Sequence, residues 1–202
     1  MNHTVGIAQD HKARAAEKKP TEKAVGHVPP GGGARSLWVF NEFVTHKIPS
    51  QRTGGAYAHF EVATRPGAGP PPHIHHREDE SFYVLEGEFE ILAGKETLRV
   101  GAGSLLYVPK GTLHAHRAIG EGVGRMLVTQ TPGGLYERFF EEVGEEASSN
   151  VVMASLEAGS PKAARIAEVA ARYGIEIAPP ADGGPGDGGP NHSARPIRDP
   201  DS

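Results

Sequence analysis

The chain has 202 residues, a formal net charge of -4, 27 glycines, 17 prolines and no cysteine. That length fits one core of ordinary size, and the charge provides no broad basic field to attract nucleic acid or an anionic membrane. Without thiols there are no disulfides, cysteine nucleophiles, iron–sulfur clusters or thiolate zinc sites, so a bound metal must be held by histidine and carboxylate.

Residues 1–34 are polar, carry Lys12, Arg14, Lys18, Lys19 and Lys23, and end in the run PPGGGA. With no periodic apolar positions to order them, they are expected to be a flexible tail, and a solvated segment is preferred over a basic interaction arm. The opening MNHTVGIAQDHKARAAEKK lacks the apolar stretch of a secretory signal, and no run approaches membrane-spanning length, so a cytoplasmic protein is expected. Strand candidates follow at 37–44, 56–63, 81–86, 88–92, 97–100, 105–108 and 125–130. Glycines at 87, 94, 101, 103, 111, 120, 122 and 124 punctuate them at hairpin-like intervals, which predicts antiparallel strands in an all-β barrel or double sheet over 35–146. Helices are predicted at 135–142 and 161–173, the second with Ala164, Ile166, Ala167, Ala170 and Ala171 on one side and Gly174 as its stop. They are expected to pack on the barrel exterior, with 147–178 as a helical extension. The Gly/Pro/Asp-rich segment 179–202 cannot bury apolar surface and is expected to be disordered.

The chemistry is concentrated in two stretches. In GAGPPPHIHHREDESFYVLEG, residues 67–87, His73 and His75 are two apart. On a strand, such residues share a face, so both imidazoles can converge on one ion while Ile74 points away. Glu80 follows after four residues, and the run 103–114 ends in a Pro/Gly turn that delivers His114. Three imidazoles and one carboxylate suit a single divalent ion (Fe, Mn, Ni, Co, Cu or Zn) and leave coordination positions open. A redox-active ion would then favour oxygen chemistry, and zinc hydrolysis or a structural role. Strand parity sends His76 outward and leaves Phe82 and Val84 facing in, either to line a substrate pocket or to fill the core. His116, two residues beyond His114, is expected to face inward as a support or substrate contact, or simply as a rim histidine. His46 and His59 lie on upstream strands and either enter the pocket or are exposed, while Tyr57, Phe60, Tyr107 and Met126 are expected in the core. Nothing matches a nucleotide-binding glycine loop.

The same residues resemble the two cupin motifs. Gly67, His73, His75, Glu80 and Gly87 fill every fixed position of the first, and Gly103, Pro109, Gly111 and His114 match the second. The second motif's final asparagine is replaced by Ala118, which removes a turn or supporting contact but no metal ligand. Asp79 would be the acidic ligand at the shorter motif spacing; Glu80 has the family's residue type and the frame that SFYVLEG continues. The phrases PPPHIHHREDESFYVLEGEFEI, LLYVPKGTLHAH and TPGGLYERFF look like the quercetin 2,3-dioxygenase-like branch of small single-domain cupins. The resemblance implies a jelly-roll β-barrel with one metal at His73, His75, Glu80 and His114. It further implies a dioxygenase acting with dioxygen on a flavonol-like or other enolisable small molecule, Glu80 serving as ligand and base. A metal-dependent isomerase or lyase of a small carbonyl or sugar compound, and a non-enzymatic ligand-binding module, are the other readings. Pairing of two copies through barrel edges is also implied; nucleic acid and membranes are not expected partners.

Overall fold

Phe40 and Asn41 both have positive φ, 49° and 67°, and this two-residue turn splits the expected 37–44 strand into β1 (Arg35–Val39) and β2 (Glu42–Ile48). A tight hairpin needs left-handed backbone at both turn residues to match the strands' twist, and asparagine tolerates it better than most residues. Helix α1 (Ser50–Thr53) and β3 (Ala58–Thr64) follow, then β4 (His73–His75), β5 (Asp79–Glu86), β6 (Glu88–Ala93) and β7 (Glu96–Gly101). After β8 (Leu105–Val108), β9 (Leu113–Ile119) and β10 (Gly124–Thr131) come α2 (Leu135–Val143), β11 (Glu145–Glu146), α3 (Pro161–Arg172) and β12 (Ile175–Ile177). The computed structural model describes residues 25–147 and 160–178; most of the expected N-terminal tail, all of the expected C-terminal tail, and residues 148–159 of the expected extension lie outside the described residues.

The strands form two antiparallel sheets, ordered β11-β1-β2-β3-β10-β5-β8 and β12-β4-β9-β6-β7. The fold is mainly β and of jelly-roll type, but the two sheets do not close into a barrel. Alternate residues of each strand face the core: Ala58, Phe60 and Val62 on β3, Phe82 and Val84 on β5, Met126 and Val128 on β10, met from the second sheet by Phe89, Ile91 and Ala118. Gly124 is required here because the Phe89 ring fills its side-chain space, with a built Cβ 2.4 Å from Phe89 Cζ.

Phe60 and Met126 are buried, as expected, but Tyr57 is only half-buried and Tyr107 is 51% exposed. β8 pairs Tyr107 with Ser81 and Leu105 with Tyr83, which puts both apolar residues on the outward face of the sheet's last strand. Helix α2 extends the core instead of decorating it: Tyr136 and Phe140 meet the Phe60 ring edge-on at 6.0 and 5.4 Å. Helix α3 starts with the Ser160 hydroxyl accepting from Ala163 N at 3.2 Å and is followed by Gly174 at φ 79°. Its buried stripe is Ile166, Val169 and Ala170; Ala164 and Ala171, expected on that stripe, are exposed, because the three- and four-residue spacing from Ile166 selects Val169 and Ala170. The chain then returns as a strand, β12, and joins the second sheet beside β4.

The residues just before β1 are fastened along β2, with Lys47 Nζ donating to Gly32 O at 2.7 Å and Ala34 N to His46 O at 2.8 Å. Among the described residues no helix is long and apolar enough to cross a membrane. Since Phe60 joins β3 to α2, Phe60→Ala is expected to lower unfolding stability by about 3–5 kcal/mol in a denaturant titration.

Candidate metal centre

β4 is three residues long, and its alternation buries His73 and His75 on one side while Ile74 is left half-buried. The neighbouring β9 pairs His114 opposite His73, so three imidazoles gather on one sheet. The carboxylate comes from the other sheet, where Glu80 is the first inward residue of β5, followed by Phe82 and Val84. Gly111, at φ 82°, ends the Pro109–Gly111 turn and donates its N–H to His75 O at 2.8 Å. That bond ties the loop before His114 to the strand that carries the other two imidazoles.

The ligating atoms of His73, His75, Glu80 and His114 all lie within 4.8 Å of one another, and all four residues are buried. His73 Nδ1 and His114 Nδ1 each face a backbone carbonyl, Pro71 O and Thr112 O, both at 2.9 Å. Donation to those carbonyls leaves each Nε2 as the free ligand nitrogen. His75 is held differently: its Nδ1 is 3.5 Å from Glu78 Oε2, and its buried Nε2 has no hydrogen-bond partner and lies 3.8 Å from Glu80 Oε2. An orphaned imidazole nitrogen amid two other imidazoles and a carboxylate is the donor set a divalent ion completes, so these residues fit one metal ion.

Burial by itself raises the Glu80 carboxyl, but the hydrogen bond with His114 and the nearby histidine charges outweigh it and hold Glu80 below its ordinary value. In the same way burial would lower His114, while its 2.8 Å bond to Glu80 Oε2 and that oxygen's charge raise it. His73 is pushed well below its ordinary value, first by burial and then by His114 and His75. Without an ion these directions favour an ionised Glu80 against a protonated His114, and a neutral His73.

Several partners escape a sequence reading. Gln130, fully buried on β10 opposite Glu80, donates to Glu80 Oε1 at 2.5 Å. Glu78 accepts from the Tyr136 N–H at 3.1 Å while its other oxygen faces His75, so one carboxylate links the start of α2 to a ligand. The period-two signal that turns Glu80 inward, carried back one step, also marks Glu78. Tyr136 packs edge-on to His75 at 4.7 Å, and burial, then the charges of Glu80, Glu42 and Glu78, hold its phenol well above its ordinary value.

The other expected residues fall in different places. His116 faces inward, its Nε2 2.7 Å from Glu42 Oε1, which also accepts from Thr64 Oγ1 at 2.6 Å. Phe82 and Val84 are core residues, with the Phe82 ring 5.6 Å from His116. His46 is buried against Phe60 at 4.9 Å, away from the four ligands. His59 does not reach the pocket, because on β3 the residues of the other parity face in; it packs outside against Tyr57 and bonds the Thr129 hydroxyl at 2.8 Å. His76 is exposed and meets Glu176 at 2.9 Å, and Asp79 accepts from Lys110 N at 2.8 Å instead of joining the cluster. A small apolar hollow with room for about one water opens beside His73, lined by Tyr136 and Phe139 of α2 and by Ile175 and Ile177 of β12.

Residues 60–130 match the family model described as a cupin domain. The chain is similar to quercetin 2,3-dioxygenase of Bacillus subtilis, 29% identical over 79 residues, which is 39% of this chain and 23% of that protein. It is also similar to an uncharacterised Streptomyces coelicolor protein, 40% identical over 57 residues, 28% of this chain and 53% of the relative. It thus spans between a quarter and about half of these curated relatives. Among solved structures, a predicted oxalate decarboxylase from Thermotoga maritima superposes with a TM-score of 0.50 at 16% identity, covering 53% of this chain and 99% of that one, which supports the fold.

Two outcomes follow from this geometry. Glu78→Ala is expected to weaken metal binding by about 10–100-fold in a chelator competition, with Glu78→Gln losing less. Because His114 titrates above its ordinary value and must be unprotonated to ligate, ion uptake is expected to release about one proton at about pH 6.5 and less at about pH 8.5. Calorimetric titration of zinc in buffers of different ionisation enthalpy measures that number.

Proposed function

Because the chain is a cupin superfamily member whose three buried imidazoles and one carboxylate converge on a single point, we propose that it is a metal-dependent dioxygenase of a flavonol-like or other enolisable small molecule. The observation that carries this reading is the preassembled four-residue donor set with an apolar cavity beside His73. The similarity to a quercetin 2,3-dioxygenase over 79 residues supports it. A bound ion supplies positive charge for a developing enolate oxygen and, if it is iron, manganese, nickel, cobalt or copper, access to dioxygen chemistry. Both oxygen atoms enter the organic product, whose carbon framework provides the electrons, so no separate reductant is needed.

The chain's own residues position and move the proton. Gln130 grips Oε1 of Glu80, which leaves Oε2, the oxygen facing the imidazoles, to ligate or to accept the substrate's hydroxyl proton and return it to the product. The depressed titration of Glu80 keeps it ionised at neutral pH, the state a base requires. Tyr136 stays a neutral phenol against His75, and the rings of α2 give that side of the centre an apolar lining.

Elemental analysis of the purified protein, followed by oxygen-electrode assays with flavonols and smaller enolisable hydroxy-carbonyl compounds, tests the proposal. The expected result is a redox-active ion and oxygen uptake that matches substrate loss, with Glu80→Gln lowering turnover by about 100-fold or more while the ion stays bound. Substrate loss without oxygen uptake would transfer the site to an isomerase or lyase. Metal-independent binding without turnover would make it a ligand-holding module.

A further inference from the structure

We propose that Gln130 sets ligand specificity at the metal centre: its side-chain carbonyl is a buried acceptor kept for a ligand that brings a hydroxyl proton to the ion. The inference rests on the metal-centre reading above and narrows its ligand class to compounds with O–H on the atom next to the metal-binding group.

Gln130 is fully buried, and the sheet register sets it opposite Glu80 on β5 and opposite Ala58 on β3. Residues directly opposed across antiparallel strands stand on the same face, so its amide lies in the interior with a carboxylate on one side and a bare methyl group on the other. The inward residue before it on β10 is Val128, which adds no polar atom. The orientation of the amide is fixed by chemistry. An ionised carboxylate only accepts, so the atom 2.5 Å from Glu80 Oε1 is the amide nitrogen and the carbonyl oxygen is left over. That oxygen, Gln130 Oε1, is removed from water and has no hydrogen-bond partner among the described residues.

Covalent geometry keeps this oxygen about 2.2 Å from the nitrogen that grips Glu80, so it stands beside the donor set and not elsewhere in the core. Two unsatisfied buried atoms thus flank the Glu80 carboxylate. His75 Nε2, 3.8 Å from Oε2, is a nitrogen that a cation completes, while Gln130 Oε1 is an acceptor that needs a proton. A buried acceptor without a donor is unfavourable. A ligand held at the ion and carrying O–H on the neighbouring atom answers that deficit, and its methyl ether leaves it in place. α-Hydroxy-carbonyl and α-hydroxy-carboxylate compounds have this arrangement, and so does the hydroxy-ketone part of a flavonol-like molecule. In the proposed reaction the contact holds the hydroxyl next to Glu80, the base that takes its proton.

The test uses the full chain saturated with Co(II), whose visible spectrum reports ligand binding, titrated with lactate and 2-methoxypropionate. The second probe keeps both kinds of oxygen and lacks the hydroxyl proton. The wild type is expected to bind lactate about tenfold or more tightly than the ether. Gln130→Met, of similar length and without the carbonyl, is expected to bring the two within about threefold. A preference due to the bulk of the ether alone would persist in that variant. Equal binding of the two probes by the wild type, no binding of lactate, or an unchanged ratio in Gln130→Met with cobalt retained and circular dichroism native, each overturns the role of the carbonyl. Absence of Co(II) uptake by the wild type overturns the metal centre itself and the inference with it, an outcome that metal content separates from failure at Gln130. The assay reads binding and not turnover, so it stands apart from the oxygen-uptake experiment.

Discussion

A carboxylate from one sheet, buried against three imidazoles from the other, is the constraint around which this molecule is organised. Glu80 and the histidines are all removed from water, and an isolated ionised group in such surroundings is strongly unfavourable. The chain answers by satisfying the carboxylate twice, with Gln130 on one oxygen and His114 on the other, and by tying two imidazoles to backbone carbonyls. What it leaves unsatisfied is His75, both of whose ring nitrogens are buried without a hydrogen bond. A cation ligated by His75 Nε2 removes one of those two deficits and displaces the proton of the Glu80–His114 pair, while Nδ1 stays towards Glu78.

The parts of this arrangement that depend on short-range periodicity were legible in the sequence, and those that depend on long-range pairing were not. The two-residue spacing of His73 and His75, and the turn that delivers His114, require only a strand and a Pro/Gly corner, so the three imidazoles emerge directly, whereas Glu80 is preferred over Asp79 through the cupin resemblance. Gln130 sits fifty positions from Glu80 and meets it only because β10 pairs with β5 in one register, which no local pattern encodes. Continuous apolar runs defeat parity as well: in Leu105–Val108 each residue is apolar, so nothing in the sequence says that Leu105 and Tyr107 face outward. The turn at Phe40–Asn41 was missed for a related reason, since it uses asparagine where glycine is the usual signal.

The helices were legible as helices and misjudged as ornaments. Their amphipathic spacing says that one face is buried but not against what, and the aromatic face of α2 proves to be the end wall of the core. Through the Tyr136 N–H it also holds Glu78, the carboxylate beside His75. A helix outside the family-matched segment therefore reaches the candidate metal centre through the Tyr136–Glu78 hydrogen bond and the 3.5 Å approach of Glu78 to His75, and its rings line the hollow beside it.

A second acid–imidazole pair, Glu42 with His116, stands behind the first on the same β9 strand, and its contrast with the centre is instructive. Glu42 Oε1 is shared between His116 and the Thr64 hydroxyl. Aromatic rings occupy the surrounding space, with Phe82 and Phe89 packed edge-on to His116 at 5.6 and 6.1 Å. The two pairs use the same residue types on the same face of the fold, and what separates them is the company they keep. Around Glu80 the neighbours are further donors, so the set fits an ion; around Glu42 they are apolar rings, so the pair is locked into the core as a cross-sheet tie.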